Sequence, residues 1–275
     1  EEEEEDLKNH YMSINKKHIS DQVQLQRQLM HNDSRIGVCS LHPDWCQLIR
    51  PPLDGEYKLL NPFRLSRYPV TVWQFKRFRE TGYSNETWWD APGLIWRNTA
   101  VPIHKRSGWT KYNWSIDNQP VVDVSCYEAM AFCRWLSAEG WTAGWLSPDY
   151  EIRLPVEDEW ELAVLDSKNN AQNFLLSPLQ QVNSNVVEAK VNSPCPVGLF
   201  TESTSACGAL DMIGNVWEWS LPDMVDSMLL SEAVLRGGSY ASSRLTDLTA
   251  IKLQEMPHVY SVDYGFRLCE ALILA

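Results

Sequence analysis

The stretch Gly214-Asn215-Val216-Trp217-Glu218-Trp219, together with Leu235-Arg236-Gly237-Gly238-Ser239-Tyr240, decides the fold. The two tryptophans of the first segment stand at i and i+2, so in an extended chain both indoles lie on one face. The glutamate between them then points the other way, toward a cation or an arginine. The adjacent glycines of the second segment allow a bulge or a close backbone approach inside a strand. Both segments therefore predict core scaffolding.

The composition favours a folded chain with a sizeable core. The sequence has 275 residues, of which 44% are hydrophobic and 13 are tryptophan, and this content excludes a disordered protein. The net charge of −12, with an acidic run over residues 1–6, argues against nucleic-acid backbones and anionic membranes as main partners. No apolar run approaches the ~20 residues that a membrane span requires. The first residues lack a basic segment followed by an apolar one, so we expect no signal sequence there.

Cysteine and histidine contribute no transition-metal motif. The seven cysteines are odd in number and contain no C-x-x-C pair, which predicts reduced thiols and a cytoplasmic protein. The six histidines include no H-x-x-x-H or H-E-x-x-H arrangement, so we expect no zinc or iron site built on histidine.

The chain divides into a polar beginning and a larger domain. Residues 1–43 are acidic and polar with a modest helical pattern, and they are interpreted as a helix or linker. Because the sequence does not begin with Met, we expect this segment to join an upstream region of a longer or processed protein. Residues 44–275 contain short strands, turns and aromatic residues typical of a single domain.

Local signals in that domain predict an α+β fold with much irregular structure. Capping boxes at Thr71 and Ser125, and Pro155 before an acidic first turn, predict helices near 72–80, 126–138 and 156–165. The first and last strands are expected side by side in one antiparallel sheet. The predicted strands are Trp45–Ile49, Phe63–Arg67, Val121–Val124, Val234–Tyr240 and Tyr264–Ile273.

An ordered set of motifs carries a family resemblance. In chain order the set is Pro69-Val70-Thr71, Pro120-Val121-Val122, Val124-Ser125-Cys126-Tyr127-Glu128-Ala129, Arg153-Leu154-Pro155, Glu159-Trp160-Glu161, the two segments quoted first, and Gly265-Phe266-Arg267-Leu268. This set resembles the formylglycine-generating enzyme (sulfatase-modifying factor) superfamily over roughly residues 44–275. The resemblance implies a variant of the C-type lectin fold.

The catalytic centres that the resemblance implies are missing from the sequence. Copper-dependent formylglycine-generating enzymes use two cysteines between the R-G-G-S and G-F-R segments, and residues 241–264 contain none. A related branch that forms sulfoxides uses a preceding helical domain with iron-binding histidines, for which residues 1–43 are too short. We therefore expect no Cu, Fe or Zn. The chain resembles the members that lack the cysteine pair.

A structural calcium ion is the cofactor that the resemblance does imply. Mapped onto this chain, its ligands are the side chains of Asp211 and Glu218 and the main-chain carbonyls of Gly214 and Val216. Ligands that are all oxygen, with one or two carboxylates, suit this hard ion. The alternative is a Glu218 carboxylate paired with an arginine and no ion.

Two functions remain open. The first is a non-catalytic module that recognises a protein or small-molecule ligand through residues 241–264, called here the loop face. Variable proteins of diversity-generating retroelements in this superfamily display ligand contacts there. The second is an oxygen-dependent enzyme with a site that lacks the copper cysteines, for which Asp263 and Arg244 are candidates. The candidate ligand-binding residues of the loop face are Ser242, Ser243, Arg244, His258, Tyr260 and Asp263.

Overall fold

The computed structural model describes residues 13, 17–29, 33–55, 57–58, 60–100, 116–165, 184–201, 204–222, 230–243 and 248–273. The strands are β1 (Phe63–Leu65), β2 (Tyr150–Arg153), β3 (Trp217–Ser220), β4 (Ala233–Arg236), β5 (Lys252–Glu255), β6 (Tyr264–Phe266) and β7 (Cys269–Leu272). The helices are α1 (Val72–Thr81), α2 (Ala91–Thr99), α3 (Cys126–Ala143) and α4 (Glu157–Leu165). Residues 17–28 form a further helix, called the N-terminal helix.

Reciprocal capping sets the beginnings of α1 and α3, as predicted. The Thr71 hydroxyl accepts from the backbone N–H of Gln74, and the Gln74 side chain accepts from the Thr71 N–H. Ser125 and Glu128 repeat this capping box at α3. α3 runs beyond the predicted end and stops at Gly144, whose φ of 76° is left-handed and favours glycine.

One helix was not predicted. α2 begins after Asp90, whose carboxylate accepts from the backbone N–H of Gly93 at 2.8 Å, with Pro92 in its first turn. These two residues are a standard helix-start signal. The hydrophobic pattern that follows them is too short to stand out in the sequence.

The strands form two sheets, with orders β1-β7-β2 and β5-β4-β3-β6. β7 lies between β1 and β2 and is antiparallel to both, so the first and last strands are neighbours as predicted. The first sheet is therefore antiparallel throughout, as predicted for the strands at the two ends of the domain. The second sheet is mixed, because β3 pairs antiparallel with β4 and parallel with β6. β6 follows β5 in the chain but lies on the other side of β3, so the connection between them crosses the sheet.

Several predicted strands are shorter or absent. Residues 121–124 form no strand, and Asp123 there has a φ of 61° that breaks an extended run. Residues 45–49 make only isolated bridges, at their two ends. The predicted strand 264–273 divides into β6 and β7 of different sheets. β4 ends before Gly237 and Gly238, whose φ angles of 88° and 74° direct the chain away from the sheet.

The main hydrophobic core lies between the helices and the second sheet. Phe75 of α1 stacks on Phe132 of α3 with ring centroids 5.7 Å apart, and Phe132 meets the edge of Phe266 in β6 at 5.4 Å.

The N-terminal helix contacts the domain through Val23, which packs with Cys195 and Phe200. None of the helices in the described ranges has the length and apolar character that crossing a membrane requires.

Candidate functional site

The side chain of Glu218 lies at the centre of a buried polar group that also contains Arg267 and Trp160. This group is called here the frame. Alternation along β3 places Trp219 in the main core and Glu218 on the opposite face. Arg267 donates from Nε and Nη2 to the two carboxylate oxygens of Glu218, each at 2.6 Å. The Trp160 indole N–H donates to the same carboxylate at 2.7 Å. Glu218 and Arg267 are both fully buried, so this is a bidentate ion pair out of water.

The predicted calcium ligands lie along one winding segment. Asp211 and Gly214 have positive φ angles of 58° and 77°, and these let the chain turn back on itself. The Gly214 carbonyl accepts from the Val216 N–H at 2.8 Å. The Asp211 carboxylate is buried and accepts from the Gly198 N–H at 2.5 Å. Burial raises the pKa of Asp211 to about 6, although that hydrogen bond lowers it.

These four residues fit a calcium ion unequally. A bound cation would stabilise the charged form of Asp211, which burial otherwise disfavours. Glu218 fits less well, because Arg267 engages both of its oxygens. The structure thus shows the arginine pairing that the sequence left open as the alternative. The calcium ion stays a prediction, and it would have to share Glu218 with Arg267.

Chelation tests this prediction directly. If Asp211 and Glu218 bind calcium, excess chelator is expected to lower the Tm of the protein, because an ion bound only by the native state stabilises it by mass action. Asp211→Asn, which removes the charge and preserves the shape, is expected to abolish the effect of the chelator. A Tm that does not change in excess chelator and does not rise with added Ca²⁺ would refute the ion.

The loop face is organised around Asp263, which precedes β6. Its two carboxylate oxygens accept from the hydroxyls of Ser239 at 2.8 Å and Ser261 at 2.6 Å. The Asp263 carbonyl accepts from the Trp217 N–H at 2.8 Å, which ties the face to β3. Asp263 therefore positions its neighbours, and hydroxyl donors occupy both of its oxygens. Sequence reasoning missed both serines. Ser239 reaches Asp263 only through the tertiary fold, whereas Ser261 is two residues away, so its local serine–aspartate spacing was a signal that could have been used.

The serines at the start of the loop face also bind within the protein. Ser242 Oγ accepts from the Ser239 N–H at 3.0 Å, and the Ser242 carbonyl accepts from the Val187 N–H at 3.0 Å. The Ser243 hydroxyl donates to Glu188 at 2.7 Å. Both serines are half-buried. Arg244 lies outside the residues that the structure describes.

The remaining members of the loop face are more open to solvent. His258 is exposed and Tyr260 is half-buried, and the exposed Met256 lies on the same turn as His258. The sequence treated this region as a loop, but it includes β5. In β5, Lys252 and Gln254 are exposed and their neighbours half-buried. That alternation was the signal that could have revealed the strand.

The loop face places exposed polar and apolar side chains next to the buried frame. Within the described ranges, no group of three or more His, Cys, Asp or Glu side chains could hold a metal ion. Each carboxylate oxygen of Asp263 accepts a hydrogen bond from a serine hydroxyl.

The comparisons with known proteins agree with this architecture. The hercynine oxygenase of Mycobacterium tuberculosis is 28% identical over 234 residues, which are 75% of this chain and 52% of that protein. The formylglycine-generating enzyme of Thermomonospora curvata is 26% identical over 215 residues, covering 61% of this chain and 63% of that protein. The structure of PvdO from Pseudomonas aeruginosa shares the fold with a TM-score of 0.55 at 18% identity, over 87% of this chain and 100% of that chain.

This chain covers only part of the length of the hercynine oxygenases that it matches. The chain spans about half of the Mycobacterium tuberculosis hercynine oxygenase, and 35% of the one from Mycolicibacterium thermoresistibile. Residues 50–272 match the family described as "Sulfatase-modifying factor enzyme 1-like domain", which covers most of the chain. With the motifs of the core frame and the fold in agreement, the chain belongs to this family, within the formylglycine-generating enzyme superfamily.

Proposed function

We propose that this domain recognises a protein or small-molecule ligand through the loop face. The observation that carries the proposal is the pairing of Asp263 with Ser239 and Ser261. This pairing attaches the loop face to the buried frame. The exposed side chains next to Asp263 are not needed for that attachment. Met256 and His258, together on one turn, supply an apolar and a polar contact of the kind that binding surfaces combine.

Peptide selection tests the proposal without a known ligand. Peptides selected from a display library on the immobilised full chain are expected to slow hydrogen exchange in residues 252–264. The double variant Met256→Ala/His258→Ala is expected to bind these peptides at least about tenfold more weakly, because truncating central contacts typically costs more than 1 kcal/mol. Both side chains are exposed, so the Tm is expected to change little.

Ile95→Ala is the matched control. Ile95 is exposed by 69% on α2, outside the loop-face segments in sequence. We expect this variant to bind the selected peptides like the unmodified protein. Peptides that protect amides scattered over the surface, or an equal loss of affinity in Ile95→Ala, would contradict recognition through the loop face.

A second candidate function is oxygen-dependent chemistry. The observation that favours it is the 28% identity to a hercynine oxygenase across 75% of this chain. The protein supplied with hercynine is then expected to consume dissolved oxygen in a hercynine-dependent manner. Under the recognition proposal, an oxygen electrode is expected to record the same rate with and without hercynine.

A further inference from the structure

A groove lies between the N-terminal helix and the turn at residues 189–191. Its volume is about 550 Å³, which falls within the ~300–1,000 Å³ typical of small-molecule sites. Polar and charged side chains line both walls: Lys17, Ser20, Gln24 and Arg27 from the helix, and Lys190 from the turn. The family match begins at residue 50, so the helical wall lies outside the matched segment. None of the lining residues in the described ranges belongs to the loop face.

Positive charge dominates the lining of this groove. In the part of the chain that the structure describes, no ion pair joins Lys17, Arg27 or Lys190 to an acidic side chain. Glu188, which is close to the turn in sequence, accepts from the Ser243 hydroxyl at 2.7 Å and does not line the groove. The whole chain has a net charge of −12, so this surface has the opposite sign to the average. An anion is therefore the kind of ligand that the groove favours.

The Arg27 guanidinium is partly removed from water and incompletely paired. Its Nη2 donates to the Ser193 hydroxyl at 2.9 Å. Its Nε is buried and has no acceptor among the described residues. Burial of a charged group without a counter-charge costs free energy. An anion in the groove would recover part of that cost by charge attraction, even without contacting Nε.

The two walls run in the same direction, and this order decides where the cations lie. Arg27 bonds to Ser193, and Val191 packs against the apolar cluster at the middle of the N-terminal helix. Moving back along both walls leads to Lys17 on the helix and to Lys190 on the turn, so the two lysines lie toward one end of the groove. Arg27 is ten residues further along the helix, which places it about 15 Å from Lys17 along the axis.

We propose that this groove binds an organic phosphate. The phosphate group would lie between Lys17 and Lys190, where two ammonium groups and the Ser20 hydroxyl can donate to its oxygens. Inorganic phosphate cannot extend from there to Arg27, whereas a molecule of nucleotide length can. Val191 offers this longer body an apolar surface, and Arg27 attracts a second polar or negative group.

Calorimetric titration of the full chain tests this site. The probes are adenosine diphosphate, inorganic phosphate and adenosine, without added metal ions. We expect adenosine diphosphate to bind, and inorganic phosphate to bind at least about tenfold more weakly because it leaves most of the groove empty. Adenosine is expected not to bind, because it lacks the phosphate. Raising the salt concentration is expected to weaken binding, because the contacts are between charges.

The double variant Lys17→Gln/Lys190→Asn removes the two charges at the phosphate end. Asparagine suits position 190, whose φ of 57° is left-handed. We expect this variant to bind adenosine diphosphate at least about tenfold more weakly, because hydrogen bonds to charged groups are the stronger ones. Both lysines are exposed, so the Tm is expected to change little.

Two controls separate this site from general charge effects and from the loop face. Lys58→Gln removes an exposed lysine outside the groove, and it is expected to keep full affinity for adenosine diphosphate. Met256→Ala/His258→Ala is expected to keep it as well, because neither residue lines the groove. The proposal is overturned if neither adenosine diphosphate nor inorganic phosphate binds, or if adenosine or inorganic phosphate binds as tightly as adenosine diphosphate. It is also overturned if the double lysine variant and Lys58→Gln lose affinity to the same extent.

Discussion

Replacing Glu218 with alanine is expected to lower the free energy of unfolding by about 3–5 kcal/mol, because it leaves the buried Arg267 guanidinium without its counter-charge. The Trp160 indole N–H would lose its acceptor as well. Urea denaturation followed by tryptophan fluorescence measures the change. The variant Glu218→Gln keeps the shape of the side chain and one acceptor oxygen. Its free energy of unfolding is therefore expected to lie between those of Glu218→Ala and the unmodified protein.

A surface ion pair provides the control for this prediction. Arg77 and Glu80 pair at 3.2 Å on α1, with side chains that are 49% and 59% exposed. Glu80→Ala is expected to change the free energy of unfolding by less than about 1 kcal/mol, since solvent screens exposed pairs. If Glu218→Ala costs no more than Glu80→Ala, Glu218 and Arg267 do not form the central ion pair of this frame.

Replacing Trp219 with alanine is the second large effect, with an expected loss of about 3–5 kcal/mol in the free energy of unfolding. The Trp219 indole is fully buried, and its ring meets the edge of Tyr264 at 5.6 Å. Its N–H donates to the Val124 carbonyl at 3.0 Å, an acceptor that would lose its partner. Both the cavity and the unpaired carbonyl destabilise the native state.

The partly exposed tryptophans give a graded comparison. Trp217, on the same strand, is half-buried, so Trp217→Ala is expected to cost less than Trp219→Ala. Trp141 is 42% exposed at the end of α3, and its replacement with alanine should cost roughly the one hydrogen bond it donates to Tyr150, about 1 kcal/mol. If Trp219→Ala and Trp141→Ala lowered the free energy of unfolding equally, Trp219 would not be the buried tryptophan of β3.

Short-range sequence signals were sufficient to predict the helix starts, the side-chain directions in β3 and the family of this protein. The capping boxes at Thr71 and Ser125 predicted where α1 and α3 begin, because a cap needs only residues three positions apart. The i, i+2 spacing of Trp217 and Trp219 placed Glu218 on the opposite face of a strand, as observed. The ordered motifs identified the family. These features are short-range, so a single sequence carries them.

Only the tertiary structure decided which distant groups meet. Arg267 contacts Glu218 and Asp263 contacts Ser239, and each pair joins segments far apart in the chain. No spacing rule links such residues, because their contact depends on how the two sheets and the helices pack. The same packing placed β6 parallel to β3 in the second sheet. The buried ion pair and the hydrogen bonds that attach the loop face are therefore properties of the assembled core.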